Sequence, residues 1–123
     1  MNESQKVEEL FNNLLESETY RFPVSGKVNK SPKQGVYIIY GTKNEVLHAG
    51  KTARAKGGLN QRLTNHLRNQ SSFSNQYVLS KGIDLRQTGR FKFIEIENPR
   101  TRAFVEALTI GKLCPAHIGT GSK

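Results

Sequence analysis

Apolar residues recur every three or four positions near the start of the chain. Within residues 4–17 they are Val7, Leu10, Phe11, Leu14 and Leu15. This spacing places them on one face of a helix and is typical of an amphipathic helix. We therefore expect an N-terminal helix that docks on the core or forms a dimer contact.

Three short runs of β-branched and aromatic residues predict strands. The runs GVYIIY (35–40) and EVLHA (45–49) are separated by Gly-Thr-Lys-Asn at 41–44, which predicts a hairpin. Residues 90–97, RFKFIEIE, alternate apolar and polar positions and predict a third strand.

Two further helices are indicated. Residues 59–69 place Leu59, Leu63 and Leu67 on one helical stripe. Asn98 and Pro99 supply an N-cap and a first-turn proline for a helix of about fourteen residues, which ends before Pro115.

The remaining segments lack periodicity. Residues 20–34 contain two prolines and a glycine and predict a loop or linker, and residues 70–89 predict a polar loop with a short strand near Tyr77. The order hairpin, helix, strand, helix predicts an α+β fold: a small three-stranded antiparallel sheet flanked by helices, with an N-terminal amphipathic helix. We divide the chain into an N-terminal helix and linker (1–34) and one domain (35–123).

Charge favours a nucleic-acid partner. The 123 residues carry a net charge of +9, yet residues 1–18 contain five acids and one lysine, and no acid lies between Val46 and Ile83. Such a one-sided positive field attracts polyanions. The alternative is a basic surface that only keeps the protein in solution.

Other classes of protein are disfavoured. No apolar stretch approaches the ~20 residues of a membrane span, and the N-terminus lacks the apolar region of a signal peptide, so we expect a cytoplasmic protein with no membrane partner. The single cysteine, Cys114, excludes an internal disulfide, and we expect it to be a buried structural thiol.

Gly50-Lys51-Thr52 looks like the end of a nucleotide P-loop. A P-loop needs another glycine five positions before Gly50, where this chain has Glu45. An acidic side chain there would repel phosphate, and the strand pattern is not that of a parallel sheet. A nucleotide-triphosphate switch is therefore excluded.

The tripeptides GVY (35–37) and HAG (48–50) resemble the two signature tripeptides of the GIY-YIG nuclease family, with ten residues between them. That family follows the second tripeptide with a helix that carries an arginine, matched by Arg62. It then places a glutamate on a later helix, matched by Glu106. The resemblance spans residues 35–115 and implies an endonuclease that hydrolyses DNA, more than RNA, with one Mg²⁺ or Mn²⁺ per active site.

Glu106 falls at the edge of the packing face of its predicted helix. A buried carboxylate must be paired, protonated or bound to a cation. One reading is an ion pair with Arg102, four residues earlier. The other is a carboxylate that holds one Mg²⁺ with waters and the substrate phosphate, and the resemblance favours this metal site.

Arg62 and His66 are four residues apart and share a helical face, which an ordinary polar surface would also explain. The resemblance makes Arg62 the catalytic arginine that offsets charge on the phosphate, and His66 resembles a histidine of some restriction-enzyme members. It also places Tyr37 in the site, where its phenol, near Lys51 or His66, could activate the attacking water.

Basic residues around the second tripeptide complete the implied site. Lys51 would be a cation beside the scissile phosphate, with the leaving oxygen stabilised by Mg²⁺ on Glu106. The nucleic-acid backbone would be held by Arg54, Lys56 and Arg68, together with Lys51. One such site cuts one strand, so double-strand cleavage would need a homodimer or two successive nicks.

Two departures from the family pattern bear on activity. His48 occupies the position of the second tripeptide's tyrosine, where a histidine could preserve or retune proton transfer. The asparagine that the family commonly places after the last helix is missing, and His117 is a candidate substitute. The alternative function is a catalytically weak or inactive GIY-YIG-like nucleic-acid-binding module.

Sequence specificity stays open. Residues 69–90 are rich in Asn, Gln, Ser and Arg, whose side chains can read base edges. A solvated loop is the favoured interpretation of this segment.

Overall fold

The computed structural model describes residues 1–53 and 56–119. Its strands are β1 (Tyr20–Arg21), β2 (Gly35–Tyr40), β3 (Val46–Lys51) and β4 (Arg90–Glu95). Its helices are α1 (Glu3–Glu16), α2 (Gly58–Leu67), a π-helical segment (Ser74–Val78), α3 (Leu79–Lys81), α4 (Leu85–Thr88) and α5 (Pro99–Leu113). The predicted α+β class is confirmed.

The sheet is antiparallel, with the strand order β1-β4-β2-β3. It contains four strands where three were predicted, because Tyr20 and Arg21 pair with Phe91 and Arg90 of β4. The Tyr20 ring also lies 5.7 Å from the Phe91 ring. The segment predicted to be a plain linker therefore contributes an edge strand.

Helices cover both faces of the sheet. On one face Tyr37, Ile39 and Phe91 pack with Leu63 of α2 and with Phe73. The other face forms a second core with α1 and α5, whose buried members are Val7, Leu14, Val36, Ile38, Ile96 and Val105. The architecture is thus three layers with the sheet in the middle.

Capping residues set the beginnings of the two longest helices. The Asn2 side chain accepts from the backbone N–H of Gln5, whose own side chain accepts from the Asn2 backbone, so α1 begins with a capping box. The Asn98 side chain accepts from the Thr101 N–H at the start of α5. The predicted cap of α5 and its end before Pro115 are confirmed.

The segment predicted as a solvated loop is folded against the first core. Phe73, Val78 and Leu85 are all buried there. These three residues are five and seven positions apart, so they do not lie on one stripe of a single regular helix. A π-helical segment and two short α-helices bring all three to the core. The short strand predicted near Tyr77 is wrong for the same reason.

Cys114 corrects another expectation. It is exposed rather than buried, and it ends α5 with a left-handed backbone (φ 48°). In the described part of the chain, no helix combines the length and the apolar character needed to cross a bilayer.

Candidate active site

A cleft of about 640 Å³ lies where β3 ends, between α2 and α5. Strand β3, helix α2 and helix α5 each contribute residues to its lining. Its lining includes His48, Gly50, Lys51, Arg62, Asn65 and Glu106. Residues from β3 and α2, which are close in sequence, therefore meet the distant helix α5 in one concavity.

Glu106 supplies the carboxylate of this cleft. It is half-buried on α5, and burial raises its pKa. The charges of Lys51 and Arg62, together with a hydrogen bond from the Lys51 backbone, act in the opposite direction. In this cleft, burial raises the pKa of Glu106 and the two neighbouring cations lower it.

Arg102 is not the partner of Glu106. Its buried guanidinium donates to four backbone carbonyls, those of Thr52, Ala53, Ile96 and Glu97, at 2.6 to 3.1 Å. Because it ties the chain after β3 to α5, it holds the end of β3 against the helix that carries Glu106. The ion-pair interpretation of these two residues is wrong.

The Tyr37 hydroxyl lies next to Gly50, a residue of the cleft lining, and Tyr37 itself is not part of that lining. Its ring is fully buried, and its hydroxyl hydrogen bonds His66 Nε2 at 2.6 Å. Burial raises the pKa of Tyr37 to about 12, and the neighbouring Arg62 charge opposes this rise. The pKa of His66 is lowered well below its usual value by burial first, and then by the neighbouring His48, Arg62 and His117, so the resting pair is phenol and neutral imidazole.

Two serines are arranged so that the Tyr37–His66 hydrogen bond can point from Tyr37 to His66. The Ser74 hydroxyl donates to the Ser71 carbonyl at 3.1 Å, so its oxygen is free to accept the Ser71 hydroxyl proton at 2.9 Å. Ser71 Oγ can then accept from His66 Nδ1 at 2.7 Å. This leaves His66 Nε2 without a proton, so the Tyr37 hydroxyl donates to it.

Gly50 makes room for the Tyr37 hydroxyl. The two residues are cross-strand partners, and a Cβ on Gly50 would lie 2.5 Å from the Tyr37 hydroxyl oxygen. The same Cβ would lie 3.3 Å from His48 Nε2. Glycine at this position therefore lets the Tyr37 hydroxyl and His48 Nε2 lie close to the Gly50 backbone, where a larger residue would clash.

His48 lines the cleft from β3. It is only 4 % exposed, and its ring stacks on the Phe73 ring at 4.7 Å. Burial, followed by the neighbouring His117, lowers the pKa of His48 to about 4. His48 is therefore a neutral imidazole at physiological pH.

The remaining predicted cations are dispersed. Lys51 and Arg62 line the cleft. Lys56 is exposed just before α2, and Arg68 is exposed at its C-terminal end, outside the cleft lining. Arg54 lies outside the described residues.

The cleft suits a hard divalent cation held largely by non-protein ligands. In residues 1–53 and 56–119, no group of three or more His, Cys, Asp or Glu side chains could hold a metal. Glu106 is one desolvated carboxylate beside open space, and Mg²⁺ is commonly held by one or two carboxylates plus waters and substrate phosphate. The donor set fits Mg²⁺ or Mn²⁺ and does not fit a closed structural zinc site.

Several polar residues of the site gave little signal in the sequence. Ser71 and Ser74 lie in a segment that reads as a loop, and only the buried Phe73 between them marks it as packed. Arg102 and Asn65 have ordinary positions on predicted helices. His117 was noted in sequence but could be placed only by the fold, which puts its Nδ1 3.2 Å from His48 Nδ1.

No protein-family model matches the chain, and no curated protein matches it significantly. Among solved structures it is similar to the GIY-YIG N-terminal endonuclease domain of UvrC from Thermotoga maritima, crystallised with magnesium. The identity is 24 %, the match covers 94 % of this chain and 97 % of the other, and the TM-score is 0.49.

Proposed function

We propose that this protein is a metal-dependent endonuclease that hydrolyses DNA phosphodiester bonds at the cleft between α2 and α5. The observation that carries the proposal is the meeting of Glu106, Lys51 and Arg62 in one cleft lining, next to the buried Tyr37 that hydrogen bonds His66. A carboxylate, two cations and a directed proton acceptor are the groups that phosphodiester hydrolysis requires.

Tyr37 and His66 accept the proton of the attacking water. Because the Tyr37 hydroxyl donates to His66 Nε2, its oxygen acts as an acceptor, both for the Arg62 side chain and, in this proposal, for a water that reaches Gly50 of the cleft lining. As the water attacks, its proton moves to Tyr37 and the phenol proton moves to His66. This concerted transfer avoids a free phenolate, which a Tyr37 pKa of about 12 would make costly.

Arg62 and Lys51 bind the phosphate. The Arg62 guanidinium can bind two phosphate oxygens at once, and its charge stabilises the negative charge that develops in the transition state. Lys51 adds a second charge from the end of β3. Glu106 would hold Mg²⁺ or Mn²⁺, which when bound supplies Lewis-acid stabilisation of the leaving oxygen.

The alternative is a nucleic-acid-binding module that cuts weakly or not at all. The observation that favours it is the burial of His48, which occupies a signature-tyrosine position yet is 4 % exposed and stacked on Phe73. Such a module would use the same basic surface and would bind DNA with strong salt dependence.

The test follows strand breaks and binding together. Supercoiled plasmid is incubated with Mg²⁺ and with wild type, Glu106→Gln or Glu97→Gln, the last a matched control because Glu97 is exposed outside the cleft. We expect wild type and the Glu97 variant to nick, and Glu106→Gln to lose at least about 100-fold in rate while it still binds DNA. Equal nicking by all three would remove Glu106 from the site, and binding without nicking by wild type would favour the module.

A further inference from the structure

We propose that His117 is a positioning residue, which fixes the tautomer of His48 so that His48 Nε2 presents a lone pair to the attacking water. This inference deepens the proposed function and rests on it for the identity of the water. It is carried by a chain of hydrogen bonds from Gln76 through His117 to His48.

The first step of the chain fixes the protonated nitrogen of His117. His117 Nε2 lies 3.3 Å from the Gln76 side-chain carbonyl oxygen, which can only accept a hydrogen bond. His117 Nε2 therefore carries the proton. In the neutral ring its Nδ1 is then bare.

The second step fixes His48. The bare Nδ1 of His117 lies 3.2 Å from His48 Nδ1, and the His117 backbone carbonyl lies 3.4 Å from the same nitrogen. Both neighbours are acceptors, so His48 Nδ1 must be the donor. A neutral His48 then has no proton on Nε2.

The third step places that lone pair. His48 lines the cleft, and the position that a Cβ on Gly50 would take is 3.3 Å from His48 Nε2 and 2.5 Å from the Tyr37 hydroxyl oxygen. Both acceptors therefore lie beside Gly50 at the cleft wall. In the proposal, a water at this wall donates a hydrogen to His48 Nε2, which orients it for attack on a phosphate bound by Arg62.

The backbone explains how His117 reaches this position. Strand β3 is an edge strand, and the N–H groups of Ala116 and His117 donate to the carbonyls of Val46 and Leu47 at 3.0 and 2.9 Å. The chain after α5 thus pairs with the open edge of β3. This pairing holds the His117 ring against His48 and leaves Nε2 of His48 without a protein partner in the described residues.

The tautomer is measured without DNA. Long-range ¹H–¹⁵N NMR of the labelled protein at neutral pH, with the His48 signals assigned by His48→Gln, should show protonated Nδ1 and bare Nε2. His117→Leu should shift His48 toward the other tautomer, while His117→Asn, whose side-chain oxygen can accept from His48, should preserve it. A protonated Nε2 in wild type, or no response to His117→Leu, would overturn the inference.

The activity arm tests the same link. We expect His117→Leu to slow single-turnover plasmid nicking by about tenfold and His117→Asn to stay within about twofold of wild type, as for partners that orient a reacting group. Combining His117→Leu with His48→Leu should cost no more than His48→Leu alone. Additive losses would show that His117 acts independently of His48 and would contradict the proposal.

Two substitutions at the exposed residue Gln76 test whether misfolding, rather than the lost hydrogen bond, changes the tautomer of His48. Gln76 is exposed, so Gln76→Leu and Gln76→Glu leave the core intact, and only glutamate keeps an acceptor for His117 Nε2. In Gln76→Leu the population of His48 protonated at Nδ1 should decrease, and in Gln76→Glu it should stay unchanged. A wild type that nicks no DNA would refute the proposed function, whereas the NMR result decides the His117 inference separately.

Discussion

Arg62 is the residue whose chemistry is least replaceable in this account. It lines the cleft and lies close enough to Tyr37 to counteract the rise in the pKa of that phenol. Lysine keeps the charge but cannot bind two phosphate oxygens through a planar fork. Shape as well as charge should therefore matter at this position.

We predict that Arg62→Lys lowers the rate of plasmid nicking by about 100-fold with little change in the free energy of unfolding. Arg68→Lys is the matched control, because Arg68 is exposed at the end of the same helix outside the cleft. Single-turnover nicking and urea unfolding of both variants would check this. Similar rates for the two variants would show that Arg62 acts only as a point charge.

At the scale of single residues, the sequence predicted which side chains belong to the site better than it predicted which groups those side chains contact. Glu106 and Arg62 stand out by position and by resemblance. The hydrogen bond from the Lys51 backbone to Glu106, and the carbonyl partners of Arg102, depend on how α5 crosses β3. Spacing along one helix contains no information about such a crossing.

At the scale of elements, α5 is held to the end of β3 by Arg102. The buried Arg102 guanidinium donates four hydrogen bonds to backbone carbonyls. Two of these carbonyls follow β3 and two precede α5. Loss of Arg102 would leave those carbonyls unpaired in the interior, at about 1 to 3 kcal/mol for each group that water cannot reach.

We predict that Arg102→Met lowers the free energy of unfolding by at least about 3 kcal/mol. Arg100→Met is the control on the same helix, because Arg100 is exposed, pairs with exposed Glu3 and lies over the Phe104 ring, which Met can also cover. It should change stability little. Urea titrations of both variants would measure the difference. An equally small effect of Arg102→Met would contradict the claim that Arg102 holds α5 to the end of β3.

Elements with strong local signals were predicted well. The bounds of β2 match because a β-branched run begins at Gly35 and ends before Gly41, and α5 matches because Asn98 caps it. The strand β1 was missed, since its two residues are held by ring packing on β4 rather than by any pattern of their own. Residues 70–89 were misread because a π-helical segment shifts the phase of their buried residues.

At the scale of the whole molecule, buried neutral histidines make stability depend on pH. The pKa of His48 is lowered from an ordinary 6.5 to about 4, and that of His66 is also lowered, both chiefly by burial. Below about pH 6.5 the unfolded chain binds protons that the folded chain does not. Stability is therefore lost as the pH falls through this window.

We predict that the free energy of unfolding decreases between pH 6.5 and pH 5, by roughly 2 kcal/mol from His48 alone, since each pH unit is worth about 1.4 kcal/mol per group. Glu106 acts in the opposite direction, because burial raises its pKa. Urea unfolding of wild type and His48→Gln at both pH values would test this. An unchanged pH slope in the variant would contradict the buried neutral state of His48.

The central claim is that the cleft cuts DNA with a divalent cation. It is tested most directly by the single-turnover rate at which purified wild type nicks supercoiled plasmid, with Mg²⁺ and with EDTA in its place. We predict open-circular product only with Mg²⁺, and recovery of the rate when excess Mg²⁺ is restored. Nicking that persists in EDTA, or tight binding with no nicking under either condition, would contradict this account.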